Sequence, residues 1–192
     1  MKEKVLILDN YDSFTYNIAH YVDENPNYKA IVIRNDAITL EEVNKFNTII
    51  LSPGPGLPKD AGIMNALIKK YASTKKILGV CLGMQAIGEV FGGKLKNMET
   101  VYHGVASPIK ISEKNTIIYK GLPNSFMVGR YHSWIIHKKS FPDILKITAQ
   151  TKQDEIMSIK HKEYAVFGVQ YHPESILTEY GKEIISNFLN HK

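Results

Sequence analysis

Four short apolar runs dominate the first half of the chain: Val5-Leu6-Ile7-Leu8, Ala30-Ile31-Val32-Ile33, Thr48-Ile49-Ile50-Leu51 and Lys76-Ile77-Leu78-Gly79-Val80. Each run is continuous rather than alternating, the pattern of a strand buried on both faces. Amphipathic stretches separate them. Phe14, Ile18, Tyr21 and Val22 fall at i, i+4, i+7 and i+8, one face of a helix that Asp12 or Ser13 is expected to cap. Thr39-x-x-Glu42 before Val43 matches a capping box. Ile63, Leu67 and Tyr71 recur every fourth residue with Met64 and Ile68 beside them, and Met84 to Phe91 reads as helix before Gly92-Gly93 stops it. Strands that alternate with helices in this way build βα units around a parallel sheet.

The second half changes character. Strand-like pieces at 106–111, 134–136, 145–149, 156–159 and 165–170 suggest hairpins that extend the sheet. Tyr180, Ile184 and Phe188 place a last helix at the end of the chain. With 192 residues, no repeat and no low-complexity linker, a single domain over 1–192 is expected. No apolar run approaches the ~20 residues that span a bilayer, and the start Met1-Lys2-Glu3-Lys4-Val5 lacks a secretory apolar stretch, so a cytoplasmic protein without a membrane is expected. The net charge of +5 comes from scattered pairs such as Lys69-Lys70, Lys75-Lys76 and Lys138-Lys139. Without clustering or interleaved aromatics, no nucleic-acid partner is expected.

Cys81 is the only cysteine, so it matters as a thiol if it matters chemically. It stands in Gly79-Val80-Cys81-Leu82-Gly83, a strand running into G-x-C-x-G and then a helix. Small residues on both sides permit the sharp turn of a nucleophile elbow, and the following helix begins beside the sulfur, where its positive end favours the thiolate. A thiolate needs a base, and His172-Pro173-Glu174 supplies a candidate. Proline pushes the preceding residue to extended geometry, where positions i and i+2 project to one side. Glu174 can then hold one ring nitrogen of His172 while the other meets the thiol.

Attack on a carbonyl also needs amide donors. In Ser52-Pro53-Gly54-Pro55-Gly56 the prolines carry no N–H, which leaves Gly54 and Gly56; Gly54 pairs naturally with the amide of Leu82 as an oxyanion hole. Gln85 lies one helical turn beyond Cys81 and reaches the same pocket. Tyr131-His132-Ser133-Trp134 joins polar side chains to the only tryptophan, in either a binding or a packing role. His20, His137, His161 and His191 read as surface or packing histidines, and no spacing supports a metal site.

Taken together, Gly79-Val80-Cys81-Leu82-Gly83-Met84-Gln85 and His172-Pro173-Glu174 resemble the class I (triad) glutamine amidotransferases. Asp9-Asn10-Tyr11-Asp12-Ser13-Phe14-Thr15-Tyr16-Asn17, Ser52-Pro53-Gly54-Pro55-Gly56, Arg130-Tyr131-His132-Ser133 and His172-Pro173-Glu174-Ser175-Ile176-Leu177 narrow the likeness to the small glutaminase subunits of anthranilate and aminodeoxychorismate synthases. The resemblance implies an α/β fold, a flavodoxin-like open and mostly parallel sheet with helices on both faces, extended by short antiparallel strands. It implies that Cys81 attacks the side-chain amide of L-glutamine to form a glutamyl thioester, with His172 moving protons and Glu174 orienting it. Gly54 and Leu82 would supply the oxyanion amides, and Gly54, Pro55, Gly56, Gln85, Ser133 and Trp134 would hold glutamine. Ammonia would pass to a large chorismate-binding subunit in a heterodimer or heterotetramer. That partner would need Mg2+, whereas this chain would need no cofactor. Met84 departs from a histidine frequent in the family, and Val105 from a common lysine; neither touches the triad. Two other readings stay open on sequence: a stand-alone γ-glutamyl hydrolase, and a non-catalytic regulator, which would predict a damaged triad.

Overall fold

A computed structural model describes residues 2–191; the expected domain span of 1–192 includes Met1 and Lys192, which lie outside the described residues. The four apolar runs form β1 (Glu3–Asp9), β2 (Tyr28–Arg34), β3 (Thr48–Leu51) and β4 (Lys76–Val80), all mutually parallel where they pair. The helices between them are α1 (Thr15–Glu24), the short α2 (Leu40–Val43) and α3 (Met64–Tyr71), and α4 (Leu82–Val90) follows β4 directly.

The second half contributes β5 (Leu95–Asn97), β6 (Val105–Ile111), β7 (Ser125–Arg130), β8 (Trp134–Ile136), β9 (Leu145–Gln150), β10 (Ile156–His161), β11 (Val166–Val169) and α5 (Gly181–Leu189). The main sheet has nine strands in the order β2-β1-β3-β4-β11-β10-β9-β6-β7. Its first five are parallel and keep the 2-1-3-4-5 order of a flavodoxin-like sheet, with β11 as the fifth. The last four join antiparallel, so the sheet is extended as expected. Residues 134–136 depart from that expectation: β8 pairs with β5 in a separate two-stranded ribbon.

Side chains alternate across the strands, which explains the continuous apolar runs. Val5 and Ile7 point into a core completed by Ile18 and Val22 of α1 and by Ile184 and Phe188 of α5. Leu6 and Leu8 point the other way, against Val43, Leu67, Ile68 and Ile87. The α2 capping box forms as the sequence indicates: Glu42 N–H donates to Thr39 Oγ1 at 3.3 Å, and Thr39 N–H donates to Glu42 Oε2 at 2.9 Å. Helix α1 starts one residue beyond the later of the two expected caps, with Phe14 rather than Asp12 or Ser13 as its N-cap and no side-chain cap. Asp12 instead accepts the Phe14 N–H at 2.8 Å, tightening the turn that leads into the helix.

Candidate active site

The carboxyl ends of β1, β3, β4 and β11 lie side by side, where ligands bind in open α/β sheets. Each delivers one of the motifs. After β4 the backbone turns sharply: Cys81 has φ 51° and ψ −100°, a left-handed conformation unusual for a residue with a Cβ. The flanking glycines permit it by close approach. A Cβ on Gly79 would lie 2.4 Å from the Gly83 carbonyl carbon, and one on Gly83 would lie 2.7 Å from the Leu51 oxygen. Cys81 is thereby the N-cap of α4, its sulfur at the positive end of that helix.

The segment after β11 carries the candidate base. His172 Nδ1 and Glu174 Oε1 lie 2.7 Å apart, both side chains buried. The His172 ring packs against Tyr131, with centroids 4.8 Å apart, and against Phe14 at 5.8 Å, and those two rings meet each other at 5.5 Å. Thr178 Oγ1 donates to the His172 carbonyl at 2.6 Å and accepts the Gly129 N–H at 2.9 Å, fixing the turn to β7. His172 Nε2 is buried and makes no hydrogen bond within the described residues. Burial favours the neutral ring, but the Cys81 and Glu174 groups beside it outweigh burial and push its pKa up to about 10, with Cys81 the stronger of the two. The imidazole therefore carries a proton at neutral pH next to the sulfur, ready to give it up but not locked to it in the resting geometry.

An unfolded histidine titrates near ~6.5, so the folded chain holds this proton more tightly. The resulting stabilisation is fully present below that pH and is lost as pH rises through about 10. Urea unfolding of the wild type should show stability declining across that window, and the slope should flatten in His172→Gln. Superimposable slopes for the two proteins would mean that His172 does not carry this proton.

The Ser52–Gly56 loop is held from β1. Asn10 N–H donates to Ser52 Oγ and its Nδ2 to the Ser52 carbonyl, both at 2.8 Å. A Cβ on Gly54 would lie 2.6 Å from Asn10 and 3.0 Å from Leu82 Cδ2, so this glycine lies flush against both. Gly54, Pro55, Gly56, Cys81, Leu82, Gln85, Ser133 and Trp134 all line one cavity of about 170 Å³, with Tyr131 and His132. Every residue expected to bind or stabilise the reacting group thus meets there, with His172 and Glu174 adjoining through Cys81. The volume is below the ~300–1,000 Å³ typical of drug-sized ligands and suits a small metabolite.

The sequence left the role of Tyr131 open, gave Asn10 none, and did not single out Gln170. Tyr131 packs on the base, Asn10 anchors the Ser52–Gly56 loop, and Gln170, fully buried, places Nε2 3.6 Å from Cys81 Sγ. A signal for Gln170 was present: it stands two residues before His172, where a strand end turns both to one side. The same spacing does not hold on to Glu174, because Pro173 and Glu174 lie in a turn closed by the Ser175 N–H on the His172 carbonyl at 3.2 Å. Glu174 meets the ring from that turn rather than from extended backbone. Met84 is fully buried and meets Gly168, where a Cβ would lie 2.8 Å from Met84 Cγ; an apolar side chain fits this tight contact. Val105 is 42% exposed at the start of β6. His20 pairs with Glu24 on the surface, while His161 is buried and stacks on Tyr164. Among the described residues, no group of three or more His, Cys, Asp or Glu side chains is arranged to hold a metal ion. No helix there is long and apolar enough to cross a membrane.

Comparison with known proteins places this arrangement in context. The family described as glutamine amidotransferase class-I matches residues 6–192. The chain is 50% identical over 189 residues to anthranilate synthase component 2 of Cyanophora paradoxa, covering 97% of this chain and 98% of that one. It is 44% identical over 187 residues to aminodeoxychorismate/anthranilate synthase component 2 of Bacillus subtilis, covering 96% and 95%. It is also 46% identical to the bifunctional protein TrpGD of Thermotoga maritima, but spans 32% of that longer protein. A glutamine amidotransferase structure from Thermotoga maritima superposes with a TM-score of 0.75 at 13% identity, over 91% of this chain and 77% of that chain, a likeness of fold.

Proposed function

The chain belongs to the class I glutamine amidotransferases, and from that premise we propose that it is the glutaminase subunit of a chorismate-using synthase, hydrolysing L-glutamine and handing on the ammonia. One observation carries the reading. The sole cysteine sits strained at a helix N-cap in a small cavity, beside a buried imidazole that is itself bonded to a carboxylate.

In this reaction the Cys81 thiolate attacks the amide carbon of the glutamine side chain. The oxyanion that forms is met by the N–H groups of Gly54 and Leu82, donors whose positions are fixed before the substrate arrives. Leu82 is the first residue of α4, where backbone N–H groups have no intrahelical acceptor. His172 gives its proton to the departing nitrogen, which leaves as ammonia, and the glutamyl group stays on sulfur as a thioester. Water then attacks the thioester while His172 takes up a proton, releasing glutamate and restoring the sulfur. Gly56, Gln85, Ser133 and Trp134 hold the rest of glutamine against the cavity wall.

Exposed apolar side chains on segments that pack around Tyr131 and His172 support a protein partner near the site. Tyr16 (70% exposed) follows Phe14 by two residues, and Ile176 (98% exposed) adjoins the Ser175 that contacts Tyr131. Val101 and Val105 bracket His103 and Gly104, which approach Tyr131. Such exposure marks an interaction surface on a soluble domain. Chorismate and any Mg2+ belong to that larger subunit, which pairs with this chain as a heterodimer or heterotetramer.

The names of the relatives favour anthranilate formation, with a subunit shared between anthranilate and aminodeoxychorismate formation as the second reading. The test mixes the chain separately with an anthranilate-forming and an aminodeoxychorismate-forming large subunit and follows glutamine-dependent product from chorismate. Product with the first subunit is expected. Product with both establishes the shared role, whereas silence with both, alongside glutamine hydrolysis by the isolated chain, overturns the partnered reading.

A further inference from the structure

Arg130 can only donate hydrogen bonds and a backbone carbonyl can only accept them, and these two together fix the direction of the polar contacts that lead to the nucleophile. Its side chain is buried and ion-paired, Nη1 lying 2.9 Å from Glu155 Oε2. Arg130 Nε–H donates to His132 Nε2 at 3.2 Å, so the proton of the neutral His132 ring sits on Nδ1 and is donated to the Trp134 carbonyl at 3.1 Å. Burial and the Arg130 charge keep that ring neutral, its pKa pulled down to about 3. The Trp134 carbonyl also accepts from Gln85 Nε2 at 2.8 Å, and Gln85 Nε2 donates again to Gln170 Oε1 at 3.3 Å. With its oxygen engaged, Gln170 can turn only Nε2 toward Cys81 Sγ, 3.6 Å away. Reversing any link would set two donors or two acceptors face to face.

The sheet holds the last link in place. Cys81 N–H donates to the Val169 carbonyl at 2.8 Å, and Gln170 N–H donates to the Met157 carbonyl at 2.9 Å, so Cys81 and Gln170 stand level on neighbouring strand ends. Gln170 is fully buried and does not line the glutamine cavity, so substrate binding gives no reason for its polarity.

We propose that Gln170 is a positioning residue that stabilises the Cys81 thiolate through an amide N–H aimed at the sulfur, its orientation set by Gln85, whose own amide is fixed by the Trp134 carbonyl. A hydrogen bond to the charged form of a group favours that form, and here the donor comes from the side of Cys81 facing β11 rather than from the helix end. The use of that thiolate in glutamine hydrolysis rests on the function proposed above; its stabilisation does not. The charged groups around the sulfur that share this effect are His172, with Glu174 behind it.

The experiment is alkylation of the isolated chain by iodoacetamide, which reports on Cys81 alone because there is no other cysteine. Gln170→Met keeps length and bulk but has no donor. Its alkylation rate should fall about tenfold on the acid limb of the rate–pH profile, the scale of one hydrogen bond to a charged group, and should approach the wild-type rate as pH is raised. Gln85→Leu, which breaks the chain one link away without touching sulfur, should slow alkylation in the same sense and serves if Gln170→Met does not fold. A purely structural role would loosen the pocket and speed alkylation at every pH. Rates equal to wild type, faster than wild type, or reduced equally at all pH values would each overturn the proposal. Glutamine turnover of Gln170→Met with the large subunit is measured alongside, with kcat expected to fall and KM to stay within about twofold; Gln85→Leu is not read this way because Gln85 lines the glutamine cavity. Absence of turnover in the wild type would count against the proposed function and leave the alkylation result standing.

Discussion

Cys81→Ser should lose glutamine-dependent product formation by at least about a thousandfold, the scale seen when a nucleophile acting within a triad is removed. A hydroxyl is hardly ionised near neutral pH, and the helix end and imidazolium around this position are arranged to stabilise a charge that serine does not develop. The fold should survive, because the exchange removes little volume at a residue whose backbone is held by Val169 and Gln85 rather than by its side chain. Product formation by the large subunit from added ammonia should also persist, since that route bypasses the thioester. The check is the pair of rates, glutamine-driven and ammonia-driven, with the same large subunit. Near-normal glutamine-driven turnover in Cys81→Ser would remove Cys81 from the chemistry.

The second large effect is expected far from the sulfur in sequence. A Cβ on Gly181 would lie 1.8 Å from the Pro173 carbonyl oxygen and 2.8 Å from its carbon. Both are backbone atoms, so no side chain can swing aside. Gly181→Ala must push away either the start of α5 or the residue between His172 and Glu174. Helix α5 is anchored by Ile184, Ile185, Phe188 and Leu189, all fully buried, so the His172–Glu174 segment is expected to yield. A displacement of about 1 Å at a catalytic base costs on the order of a hundredfold in rate, and the overpacking costs about 1–3 kcal/mol of stability. Glutamine-driven turnover and urea unfolding measure the two effects. Lost stability with unchanged kcat would show that the helix moved instead of the loop.

How much of this was legible in the sequence differs between the two halves. The parallel half was, because Val5–Leu8 and the runs like it are too apolar to face water on either side and glycine-flanked Cys81 announces a sharp turn. Strand β7 was not: Arg130 and Gly129 interrupt its apolar pattern, although Arg130 is buried by pairing with Glu155 and lying over the Tyr102 ring. The ribbon of β5 and β8 also escaped, since three-residue strands carry too little periodicity to assign a partner. In the candidate site, the residues legible in the sequence were those with a chemistry of their own, namely Cys81, His172, Glu174 and the Gly54 loop. Residues that act through the contacts of others were not. Asn10 anchors a loop forty residues on, and Gln170 meets Cys81 only because β11 lies beside β4.

The central claim is that Cys81 carries the glutamyl group. The most direct test is intact-mass measurement of the chain, acid-quenched during turnover of glutamine with a chorismate-loaded large subunit. The account predicts a fraction of the chain heavier by one glutamyl acyl group, with the adduct mapped to Cys81 and absent from Cys81→Ser. Glutamate and ammonia produced without any such adduct, or with the adduct on another residue, would contradict it.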